Sequence, residues 1–173
     1  WSVCPVDERD CGFAILEGHG IDQGIYEQAE RKVVELFETT TVEDRLKYQA
    51  KRFGSVNQGY FPIKETTNIH PDLVEGWVFC RRAFDLGENP IFQASDYWID
   101  PEYEPAFRNV VTSQERLIHP IMQSILRYLD CDPHLFDEKL NKTNFGFRLN
   151  YYPPISAEDE LTGAGRMLGH EDV

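Results

Sequence analysis

His170 and Asp172 stand two residues apart in the segment GHEDV, residues 169 to 173. In an extended chain, residues i and i+2 point to the same side. The imidazole and the carboxylate can then reach one ion, and together they suit a borderline divalent metal such as iron. The bland alternative is an acidic tail, and spacing alone does not choose between them. A second pair with this spacing, His70 and Asp72, is broken by Pro71 and precedes an apolar run. It is read as turn and cap chemistry. His19 lies between two glycines and reads as structural. His119 and His134 each adjoin a proline in or near a helix and read as packed or solvated.

A second candidate lies in FGFRLNYYPP, residues 145 to 154. Phe145, Phe147, Leu149 and Tyr151 alternate with Gly146, Arg148, Asn150 and Tyr152. Period two predicts a strand with two unlike faces. The apolar face should pack on helices. The other carries a guanidinium, an amide and a phenol, and could meet water or line a polar pocket. Pro153 and Pro154 end the strand.

These groups need elements to hold them. CGFAILEGHGI, residues 11 to 21, predicts a buried strand and a tight glycine turn. Asp22 predicts the cap of a helix reaching Thr39, with an apolar stripe through Ile25, Ala29, Val33, Leu36 and Phe37. Thr41 predicts the cap of a short second helix in TVEDRLKY. Residues 49 to 68 read as loop or irregular strand, and residues 72 to 86 contain a candidate strand. A long helix is predicted from about Pro101 to Leu129, its apolar positions recurring every three or four residues from Phe107 to Leu129. Pro120 should kink or split it. DPHLFDEKL predicts a short helix, ISAEDELTGAG a polar loop, and RMLGHEDV the start of another extended segment. No repeat or low-complexity tract is visible.

Composition narrows the class. The chain has 173 residues, 41% hydrophobic and 13% aromatic, which suits one globular domain. Lysine and arginine number 17 against 30 acidic residues, a net charge of -13. Such a surface repels phosphate backbones, so nucleic acid is not expected as a partner. No apolar run reaches the length of about 18 residues that a membrane span requires. No basic-then-apolar leader is visible from Trp1. The cysteines Cys4, Cys11, Cys80 and Cys131 form no CxxC pair, so a thiolate zinc site is not expected. They are read as reduced thiols of a cytoplasmic protein.

The segment GFAILEGHGI resembles the G-F-F-x-[VI]-x-N-H-G-[IV] segment of the isopenicillin N synthase-like family, non-haem iron oxygenases that mostly depend on 2-oxoglutarate. GYFPIKETTNIHPDLVEGWVF resembles that family's G-Y…E…D-x-x-E-x-[FW] segment. RLNYYPP resembles its R-x-N-Y-Y-P-P strand, and GHEDV its H-[TE]-D-x iron motif. The four segments keep the family's order from residue 12 to residue 173. Two departures stand out: Gly18 replaces the usual asparagine before His19, and no I-P-V-I-D-L strand precedes Trp1.

The resemblance implies an α+β fold, with a helix-rich region over residues 1 to 140. The first strands of a double-stranded β-helix, or jelly roll, would follow over residues 141 to 173. It implies Fe(II) held by His170 and Asp172, and 2-oxoglutarate contacted by Asn150 and Tyr152. The implied activity is oxidation of a small-molecule substrate, by hydroxylation or desaturation, with release of succinate and CO2. A later histidine, an R-x-S pair and most barrel strands would lie beyond Val173, so the chain is expected to be part of a longer protein. An iron oxidase that uses no 2-oxoglutarate and a non-catalytic binding protein remain as alternatives. So does a plain helical interaction domain. Tyr60, Phe61, Arg81 and Arg82 are candidates for contact with substrate.

Overall fold

The computed structural model describes residues 15–53, 56–63, 72–84, 94–141 and 145–166. Helix α1, Gln23–Thr39, starts where the Asp22 carboxylate accepts the Gly24 N–H at 2.8 Å. That bond satisfies one of the amides left free in a first helical turn. Thr41 does the same for α2, Val42–Leu46, accepting the Asp44 N–H at 3.1 Å. A 3-10 turn over Pro101–Tyr103 leads into α3, Glu104–Tyr128. Pro120 lies inside α3 and does not divide it. The short α4, Asp137–Leu140, follows.

The strands form one antiparallel sheet in the order β1-β2-β3-β4, with β1 Lys51–Phe53, β2 Val56–Phe61, β3 Glu75–Cys80 and β4 Gly146–Tyr151. The described part of residues 49 to 68 therefore holds more regular structure than the sequence suggests. β1 and β2 pair with each other, and β2 continues onto β3. The register of β4 on β3 runs from Glu75 opposite Tyr151 to Cys80 opposite Gly146.

Cross-strand partners share a face. Trp77 and Leu149, and Phe79 and Phe147, therefore point together toward the helices. There Phe79 stacks on Trp98 at 4.2 Å between centroids, and Phe107 of α3 lies 6.0 Å from both Trp98 and Phe147. Tyr151 stacks on Phe37 of α1 at 4.9 Å, which fastens the end of β4 to the helical layer. Each such ring, fully buried, stabilises the fold by about 1.5–3 kcal/mol before entropy is counted. The result is the expected α+β arrangement, helices on one face of an antiparallel sheet.

Three details differ from the sequence reading. Ile15 is exposed and Leu16 makes only an isolated bridge, so the described part of residues 11 to 17 is not a buried strand. The Gly18–Gly20 turn does form, with positive φ at both glycines, and the His19 Nδ1 accepts the Ile21 N–H at 3.1 Å. The apolar stripe of α3 is buried at Phe107, Val110, Val111 and Leu126, but Ile121, Ile125 and Leu129 are exposed. Finally, residues 157 to 162 are a helix, α5, and not a loop. The Ser156 hydroxyl caps it by accepting the Asp159 N–H at 3.1 Å, and Gly163 ends it at φ 69°.

Among the described residues no helix is long and apolar enough to cross a membrane.

Candidate functional site

The alternation in β4 survives folding. Leu149 is buried among the helices, while Arg148 and Asn150 are exposed on the opposite face, with Tyr152 just beyond them and 37% exposed. The three polar side chains are joined. The Arg148 Nε–H donates to Asn150 Oδ1 at 2.7 Å, and Asn150 Nδ2 donates to the Tyr152 hydroxyl oxygen at 3.4 Å. The Arg148 guanidinium also lies 4.3 Å from the centroid of the Phe61 ring.

Register explains how Phe61 reaches it. Phe61 of β2 is opposite Gly76 of β3, and Gly76 is opposite Asn150 of β4. A Cβ on Gly76 would collide with the Phe61 ring and with the Leu149 carbonyl oxygen. Glycine thus lets the ring lie across the middle strand.

The donor set defines what this face can hold. An amide N–H and a phenol O–H stand exposed side by side, with a cation next to them. Such groups suit an oxygen-rich anion. The chemistry of Asn150 and Tyr152 therefore fits the 2-oxoglutarate contact expected of them.

His170 and Asp172 lie outside the described residues. The described chain ends at Arg166, ahead of them. Gly165, beyond α5, accepts the Leu73 N–H through its carbonyl at 2.7 Å, and Arg166 donates to the Tyr152 carbonyl at 3.2 Å. Arg166 thus lies beside Tyr152. Among the described residues no cluster of three or more His, Cys, Asp or Glu side chains is arranged to hold a metal ion.

The remaining candidates separate clearly. Tyr60 is only 1% exposed and its hydroxyl is committed to Glu75, so it is a core residue and not a substrate contact. Its neighbour Phe61 is on the polar face and supports Arg148. Arg81 pairs with Glu115 of α3 and lies over the Phe145 ring, on the helical side of the sheet. The side chain of Arg82 and all of His70 lie outside the described residues. His119 and His134 both turn toward Asp137, at 3.4 and 2.7 Å, and hold α4 against α3. A cavity of about 230 Å³ between α3 and β4, lined by Val111, Ile118, Phe145 and Phe147, opens on the helical side and away from Asn150. Sequence reasoning missed the part played by Phe61 and Gly76, because their meeting with β4 depends on pairing between distant strands.

No family model matches this chain. Its sequence is similar to that of an alpha-ketoglutarate dependent kainoid synthase from Pseudo-nitzschia multiseries, 24% identical over 97% of this chain and 45% of the relative. Its fold is similar to that of a full-length Neurospora crassa protein whose crystal structure holds alpha-ketoglutarate. There the TM-score is 0.58 and the identity 18%, over 85% of this chain and 47% of that one. The chain thus spans about half the length of the proteins it matches. The first of these proteins is named for alpha-ketoglutarate dependence and the second was solved with alpha-ketoglutarate bound, and the likeness to the second shows a shared fold.

Proposed function

We propose that this chain belongs to an Fe(II)- and 2-oxoglutarate-dependent oxygenase of the isopenicillin N synthase-like type, acting on a small molecule. The observation that carries the proposal is the row Arg148, Asn150 and Tyr152 on one exposed sheet face, with Arg166 bonded to the Tyr152 carbonyl at its end. The kainoid synthase likeness over nearly the whole chain supports the same reading.

In this proposal Asn150 offers an amide N–H and Tyr152 a phenol O–H to the oxygens of 2-oxoglutarate. His170 and Asp172 supply an imidazole and a carboxylate to iron, and the carboxylate lowers the net charge there. With both groups bound, iron and 2-oxoglutarate supply the oxidising chemistry, releasing succinate and CO2 as a substrate C–H bond is oxidised. The helical layer acts at one remove. Phe37 under Tyr151 and the aromatic core under Phe147 hold β4 rigid, so the donors on its other face keep their spacing. Residues 1 to 140 are proposed as the supporting region and residues 141 to 173 as the start of the catalytic jelly roll. β4 joins the two, since it pairs with β3 along its whole length. A reducing, cytoplasmic setting belongs to the same reading.

The test is succinate formation by the intact protein, supplied with Fe(II), O2 and 2-oxoglutarate. Asn150→Ala should raise the KM for 2-oxoglutarate at least tenfold. Oxygen uptake that needs no 2-oxoglutarate would favour the oxidase alternative. Absence of any turnover, with no binding of 2-oxoglutarate, would favour a binding protein.

A further inference from the structure

We propose that Arg148 is a positioning residue that sets the hydrogen-bond polarity of the whole face, so that both Asn150 and Tyr152 present donors to the ligand. The proposal rests on the reading of those two residues as 2-oxoglutarate contacts. It assigns a role to a side chain that the motif leaves without one.

A guanidinium has five N–H donors and no acceptor. The atom of Asn150 that lies 2.7 Å from Arg148 Nε must therefore be the amide oxygen. Turned over, the amide would set two donors against each other at that distance. Side-chain amides can usually be fitted either way round, and their neighbours decide the orientation. Here a donor-only neighbour decides it.

The consequence passes along the strand. With its oxygen turned toward Arg148, Asn150 presents its N–H groups toward Tyr152 and the open face. Nδ2 gives one to the Tyr152 oxygen at 3.4 Å. That oxygen is then an acceptor from Asn150, and the phenol proton turns away from it, outward. One amide N–H and one phenol O–H remain for a ligand. Every bond in the row runs in one direction, from Arg148 to Asn150 to Tyr152 to an oxygen of the ligand. A cation at the head of such a row also polarises each donor after it. The face then favours acceptor-rich ligands.

Arg148 is itself held in place. Its guanidinium lies 4.3 Å from the Phe61 centroid, a cation–π distance. Phe61 reaches it because Gly76, between the two strands in register, carries no side chain. Three strands thus combine to orient one amide.

Arg148 and Asn150 are exposed, so the side chain can be changed with little disturbance of the core. The experiment measures calorimetric binding of 2-oxoglutarate to the intact protein loaded with Mn(II) under anaerobic conditions. The melting temperature and the side-chain amide resonances of Asn150 in 15N-labelled protein are recorded alongside. Arg148→Met should weaken 2-oxoglutarate about tenfold, the scale of one charge-assisted hydrogen bond. It should also shift the Asn150 amide resonances while leaving the melting temperature nearly unchanged. Arg148→Lys, which restores a donor, should recover much of the affinity. Should Arg148→Met fail to fold, Phe61→Leu carries the test, because it loosens the guanidinium without removing it. A roughly threefold loss of affinity is expected there, short of one hydrogen bond.

If Arg148→Met, or Phe61→Leu in its place, binds as tightly as the wild type while Asn150→Ala binds weakly, the positioning role is overturned and the 2-oxoglutarate reading stands. If Asn150→Ala and Tyr152→Phe also bind like the wild type, both are overturned.

Discussion

The Tyr60 hydroxyl donates to Glu75 Oε2 at 2.5 Å, with both residues buried behind the sheet face that carries Arg148. Arg45 of α2 reaches the same oxygen at 3.3 Å, and its other guanidinium nitrogen donates to the Phe37 and Thr40 carbonyls. This network closes the gap between the first two helices and the middle strands. Burial, and then the bond to Glu75, push the Tyr60 phenol up to about 12 from an ordinary value near 10. A raised folded value stabilises the fold fully below pH 10, and that stabilisation fades as pH climbs toward 12. Tyr60→Phe should cost about 1.5–3 kcal/mol, the range for a hydrogen bond to a charged partner. Urea denaturation measures the loss. Titration of tyrosine absorbance should show the latest phenol step missing in the variant.

Acid should act at Asp137. Hydrogen bonds from His134, then Gln123 and His119, lower its carboxyl to about 2 from 3.8. A depressed folded value gives stability that is present above the unfolded value and is lost as pH falls from about 4 toward 2. Asp137→Asn should flatten that part of the stability profile. Circular dichroism across this window checks it, and an unchanged acid limb would refute the assignment.

Gly59 has φ 124°, and a Cβ there would strike the Tyr48 carbonyl oxygen. That carbonyl accepts the Tyr60 N–H at 2.8 Å, while the Ala50 N–H donates to the Tyr60 carbonyl at 2.7 Å. Gly59→Ala should therefore destabilise the fold by about 1–3 kcal/mol. It should also speed amide exchange at Tyr60 and Ala50. Protection equal to the wild type would contradict the steric argument.

Phe107 has no exposed surface and lies within ring contact of Phe79, Trp98 and Phe147. Phe107→Ala should cost about 3–5 kcal/mol, as buried aromatic truncations do. Because the ring supports β4, affinity for 2-oxoglutarate should fall together with stability. A thermal melt and a binding titration on the same sample test the link.

Asp172→Ala in the intact protein should abolish iron-dependent turnover while leaving the thermal melt of the helical layer unchanged. Wild-type activity in that variant would remove Asp172 from the metal site.

Much of this architecture can be read locally. Asp22 and Thr41 cap helices because their side chains meet amides two or three residues away, and such bonds need no tertiary partner. The same holds for Ser156 and Gly163 around α5, where a cap and a left-handed stop were present in the sequence but its polar composition suggested a loop. The exposed half of the α3 stripe shows the opposite problem. Ile121 and Ile125 fit a helical period, yet period specifies a face and not the surface that will cover it.

The sequence by itself determined the helices α1 to α4, the two-faced strand at residues 146 to 151 and the residue types able to meet an oxygen-rich ligand. Those properties depend on neighbours two to four positions apart, where backbone geometry dictates which side chains share a face. Only the tertiary structure decided that Tyr60 is buried while Phe61 is offered to Arg148, and that Gly76 makes room for that contact. Those outcomes depend on the register of three strands brought from positions 61, 76 and 148, and strand pairing across such separations leaves no local mark in the chain.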